Sequence, residues 1–168
     1  MKTGNLQKSS RLLSALLNIG CTVIGILTVL LSIGIIVTAC TPIVAPERLE
    51  QIRRVLAQIN QNLNFTQCMI FFFSCLGMLI CIFFALYNAK QIFSCIGKGL
   101  SPFTKSTSSQ IRKISMCIVI YAICGLVSIF RISFGSLLIC CLFAFILFCI
   151  SRIFDYGCEL QQEVDETL

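Results

Sequence analysis

The residues best placed to do chemistry lie in one stretch, Lys90–Lys113, which reads KQIFSCIGKGLSPFTKSTSSQIRK. It holds five cations, Lys90, Lys98, Lys105, Arg112 and Lys113, and no carboxylate. Very apolar segments flank it on both sides, so it is expected in water beside a membrane. Each Lys or Arg held near an anionic leaflet contributes about 1 kcal/mol. The cations suit anionic lipid headgroups of the inner leaflet or an acidic partner surface. With so little soluble sequence around them, direct nucleic-acid binding is not expected.

The rest of the reactive inventory points away from catalysis. There are twelve Cys and no His. Hydrolysis or group transfer wants a general base beside a nucleophile, and no Cys has an evident activating base. HExxH, GxSxG and a phosphate-cradling Gly loop are all missing. No CxxC pair offers zinc-type spacing. Cys21, Cys75, Cys81, Cys117, Cys124, Cys140, Cys141 and Cys149 lie inside apolar runs, where a thiol behaves as a small hydrophobe. No catalytic residue, metal or cofactor is expected. Cys40 and Cys68 flank one connector and are the candidates for a disulfide on an oxidising face. Val37-Thr38-Ala39-Cys40 also has the form of a bacterial lipobox, although the apolar run before it is long for such a signal.

These groups must be positioned by elements of an unusual composition. Of 168 residues, 57% are hydrophobic and 12% charged, against about 25% charged in a soluble domain. The mean hydropathy is +0.94. Long apolar runs carry the excess, and roughly 20 helical residues cross a bilayer core. The pattern predicts an all-α integral membrane four-helix bundle in a single domain, with spans at about 12–40, 68–89, 112–131 and 134–154. The first span is expected to close at Thr41-Pro42. Between spans 1 and 2, Leu49, Ile52, Leu56, Ile59 and Leu63 recur at helical spacing and predict an outer amphipathic helix. The segment 90–113 is the basic connector. Its Ile92, Phe93, Ile96 and Leu100 share one face, as in a helix continuing along the membrane surface. Gly97 and Gly99 break that helix, and Thr104 or Ser106 can start the next. Arg131 is expected to snorkel from a tight turn before the last span.

Charge fixes the orientation. The N-terminal tail carries three Lys/Arg, the connector five and the C-terminal tail one; the other side carries four. The positive-inside rule then predicts both termini and the connector in the cytoplasm of a plasma membrane. Five of the seven acids fall in the tail 155–168, where they can meet the basic connector.

Gly99–Ile114 (GLSPFTKSTSSQIRKI) and Gly157–Leu168 (GCELQQEVDETL) together resemble the uncharacterised bacterial membrane family catalogued as domain of unknown function 2975. Gly99, Pro102, Phe103, Thr104, Ile111, Arg112 and Lys113 occupy that family's Gly–Pro–Phe–Ser/Thr pattern before the third helix. In the tail, Glu163, Asp165 and Thr167 fit its closing motif, while Val164 and Glu166 depart from it. The resemblance implies four spans and, because such proteins are often encoded beside a small helix-turn-helix regulator, a transcriptional regulator as cytosolic partner. Two functions follow. One is a regulatory or scaffolding membrane protein acting through the connector and tail. The other is a small transporter or channel subunit, with Asn18, Thr22, Thr28, Ser32, Ser74, Ser128 and Arg131 as its polar groups. A monomer or a pair of chains fits either.

Overall fold

The structure, a computed structural model, describes residues 2–44, 65–99, 104–127 and 134–166. They form α1 (Lys2–Val44), α2 (Phe65–Gly97), α3 (Lys105–Val127) and α4 (Phe134–Glu166). No strand occurs among the described residues. Each helix contains a stretch long and apolar enough to cross a membrane, so the all-α four-helix reading holds and the chain is a multi-pass membrane protein. The amphipathic helix expected between spans 1 and 2, and Arg131, lie outside the described residues.

Helices in a bilayer gain little by hiding apolar side chains from lipid, so packing is decided by shape and hydrogen bonds. Accordingly, Leu12, Ile19, Ile36, Phe73, Ile139 and Phe145 face outward. Each helix packs mainly on its neighbours in sequence, α1 on α2, α2 on α3 and α3 on α4. α3 is the most enclosed. In α3, 28% of the span is buried within the protein, against 6% in α1 and 11% in α2 and α4.

The α3–α4 seam shows why. Ser108, Ser115 and Ala122 repeat every seven residues on α3 and are all buried. Ser108 faces Ser151, and Ser115 donates to the carbonyl of Ala144 at 2.8 Å. These facing pairs are seven residues apart on both helices, so α3 and α4 run antiparallel in register. Small side chains let the backbones approach and leave hydroxyls to bond across the gap.

Two helix ends differ from expectation. α1 begins at Lys2, ahead of its apolar run, and just before that run it is tied to α2: Ser10 donates to the carbonyl of Phe93 at 2.5 Å, and Arg11 to that of Gly97 at 3.1 Å. At the other end α1 does not close at Thr41-Pro42 but continues to Val44. Pro42 removes the N–H that Thr38's carbonyl would have accepted, one bond in the final turn.

The other ends behave as the residues dictate. α2 runs unbroken through residues 90–97, held against α1 by the bonds just named. It stops where Gly99 takes a φ of 79°, and Gly99 donates to the carbonyl of Ile96 at 3.0 Å, as at a helix end closed by a left-handed glycine. α3 starts after Thr104, whose Oγ1 accepts the N–H of Thr107 at 3.2 Å, an N-cap worth about 1 kcal/mol.

Candidate functional site: a polar collar at the basic end

α1, α2 and α4 have 43, 33 and 33 residues, or about 65, 50 and 50 Å at 1.5 Å per residue. All exceed the roughly 30 Å of a bilayer core. The surplus gathers where α1 begins, α2 ends, α3 begins and α4 ends. There the chain forms a polar collar tied by side chains from every helix.

Lys90 donates to Asn18 Oδ1 at 2.7 Å, linking α2 to α1. Gln110 donates to Gln91 at 2.7 Å, linking α3 to α2. Ser108 and Ser151 exchange bonds, each hydroxyl reaching the other's carbonyl at 2.9 and 3.1 Å. Neither has any solvent exposure. A buried hydroxyl left unpaired would cost about 1–3 kcal/mol, so this reciprocal pair fixes the register. Arg112 meets Asp155 at 2.9 Å, which brings the acidic tail to the basic connector. With 46% and 32% of the two side chains exposed, the pair stabilises by under about 1 kcal/mol. Its effect is to place charge.

Between α3 and α4 the collar opens into a cleft of about 290 Å³ lined by Lys105, Ser108, Ser109, Arg112, Arg152, Asp155 and Glu159. Three cations face two carboxylates there. Of the five cations singled out in the sequence, the structure brings Lys105 and Arg112 into this cleft. Lys90 is engaged on Asn18. Lys98 is exposed at the end of α2, and Lys113 is exposed on α3. The sequence reading let the tail acids meet the connector without saying which; the structure brings Asp155 and Glu159 to it, together with Arg152, which that reading left out of the site. The signal was their spacing, i, i+3 and i+7, which sets them on one face of α4.

The remaining polar groups of the spans are mostly committed to backbone. Thr22, Thr28 and Ser32 donate to the carbonyls of Asn18, Ile24 and Thr28 at 2.9, 2.7 and 2.8 Å, bonds within their own helix. Ser74 donates across to the carbonyl of Cys124. Ser128 lies outside the described residues. So does the side chain of Cys68, and with it the pairing to Cys40, which is itself exposed. Among the described residues no three Cys, Asp or Glu gather as a metal site would require.

A second hollow, of about 390 Å³, lies between α2 and α4 with α3 as its floor. Ile82, Ile118, Ile139 and Phe143 line it with the Cys81, Cys117 and Cys140 thiols. Its wall is almost wholly apolar, as expected of a surface facing lipid tails.

No protein-family model matches the chain, no curated protein matches it in sequence, and no solved structure matches its fold.

Proposed function

We propose that this chain is a regulatory or scaffolding membrane protein whose working surface is the collar, held at the cytoplasmic face of a plasma membrane. The observation that carries the reading is the convergence of connector and tail: Lys105, Arg112, Arg152, Asp155 and Glu159 line one cleft where α3 begins and α4 ends. A mixed-charge surface at the membrane boundary suits recognition of a charged partner. The positive-inside bias supports its cytoplasmic side. The resemblance to the bacterial family gives the partner to try first, a small helix-turn-helix regulator encoded beside the chain. The hydroxyls of Thr22, Thr28 and Ser32 bond their own helix, which favours this reading over a transport path.

The test is co-elution of the full chain in detergent with the purified regulator. We expect a complex that weakens at least tenfold when Lys98, Lys105, Arg112 and Lys113 are all changed to Gln. Separate elution of the two proteins, or binding indifferent to those four charges, overturns the reading.

A further inference from the structure

The cleft between α3 and α4 has an ordered charge layout. Ser108 is level with Ser151, so Arg152 stands level with the floor of the cleft. Asp155 is one turn farther from the membrane, and Glu159 two turns. At 1.5 Å per residue, Glu159 is about 10 Å beyond Arg152. On the facing helix, Lys105 is one turn beyond Ser108, and Arg112 starts one turn below it and reaches out to Asp155 at 2.9 Å. The cleft thus runs from Arg152 near the membrane, past Lys105 and Asp155 at about one level, to Glu159 on the water side.

The surface below the cleft is apolar and continuous with it. On α4, Phe148 and Phe145 follow Arg152 one and two turns down; on α3, Met116 and Val119 follow Arg112. All four are exposed. Arg152 lies over the Phe148 ring, 5.8 Å from its centroid, which holds a cation at the apolar boundary.

We infer that this cleft binds the headgroup of a zwitterionic phospholipid with a primary ammonium, phosphatidylethanolamine. The phosphate would meet Arg152, with Lys105 reaching it from the facing helix, the ammonium would lie outward against Glu159, and the acyl chains would run along Met116 and Phe148. In such a lipid the phosphate is nearer the chains and the ammonium nearer water, the same order as the cleft's charges. A headgroup with a phosphate and no cation, such as phosphatidylglycerol, would face Glu159 unpaired. The apolar trough beneath selects a lipid over a soluble phosphoethanolamine. This deepens the proposal for the collar and rests on its placement at the membrane boundary, but needs no regulator.

Native mass spectrometry of the full chain in detergent, titrated with each lipid, tests it. Phosphatidylethanolamine should be retained about threefold more tightly than phosphatidylglycerol, the scale of one exposed ion pair. Arg152→Gln and, independently, Lys105→Gln should weaken retention of both lipids about tenfold. Glu159→Gln should erase the preference between them. Lys8→Gln, on α1 and outside the cleft, should change nothing. Soluble phosphoethanolamine should not displace the lipid. Equal retention of the two lipids, indifference to both cation changes, a preference that survives Glu159→Gln, or displacement by phosphoethanolamine each overturns the inference. Measuring regulator co-elution on the same variants separates the two proposals. A regulator bound without lipid preference removes this inference alone; lipid preference without a regulator removes the other.

Discussion

The two ends of the bundle are held together by different means. At the basic end, side chains from all four helices bond across the gaps: Ser10 to α2, Lys90 to α1, Gln110 to α2 and Ser108 to α4. In the far half, shape carries more of the fit. Gly77 lets Cys124 approach so closely that a Cβ there would stand 2.9 Å from its Sγ, beside the bond from Ser74 to the same residue's carbonyl. The same contrast appears in burial. Ser108 and Ser151 have no exposure, while the long apolar side chains of the spans face outward. In a soluble protein the apolar residues would be the core. Here lipid solvates them, and the enclosed positions go to residues small or polar enough to hold helices together.

Three substitutions and one double-mutant cycle sharpen that contrast, from the largest effect to the smallest. Ser151→Leu forces a larger side chain into a site with no solvent exposure and removes the hydroxyl that donates to the carbonyl of Ser108. We expect a loss of about 3 kcal/mol in detergent unfolding, whereas changing both Ser108 and Ser151 to Ala should cost far less. A loss below about 1 kcal/mol for Ser151→Leu would mean that the seam is not tight.

At the other end, Gly77→Val should cost about 2 kcal/mol by overpacking. Cys124→Ala in the same chain should recover part of it, because the clash is with that side chain. No recovery would place the tight contact elsewhere.

Gly99→Ala puts a Cβ on a residue with φ of 79° and should lower stability by about 1 kcal/mol. Its effect should be confined to the α2–α3 junction, read by hydrogen exchange at Ser94–Lys98. Arg112 and Asp155 should show a coupling below about 1 kcal/mol in a double-mutant cycle, shrinking as salt rises. A larger, salt-independent coupling would make the pair structural.

Much of the fold was legible in the chain. The apolar runs announce four spans, Thr104 or Ser106 the start of α3, and Gly97 and Gly99 the end of α2, because each rests on local chemistry. The pairings across helices were not legible. Ser108 and Ser115 look like solvated polar residues when read one at a time. Only their seven-residue spacing, matched by Ala144 and Ser151, marks a seam. The cleft was half legible. Lys105 and Arg112 stand out in a stretch without acids, but Arg152, Asp155 and Glu159 join them only through the antiparallel register of two helices. The ties of Ser10 and Arg11 were hidden for the same reason, since they go to carbonyls of α2 more than 80 residues away.

The most direct measurement is the sidedness of the collar in a bacterial membrane. A fluorescent protein that matures only in the cytoplasm, and a phosphatase active only outside it, are each fused after Glu166 of the full helical chain. The account predicts bright fluorescence and no phosphatase activity, with the α4 end and its cleft inside. Phosphatase activity without fluorescence would contradict it, placing the basic collar on the outer face, away from any cytosolic partner.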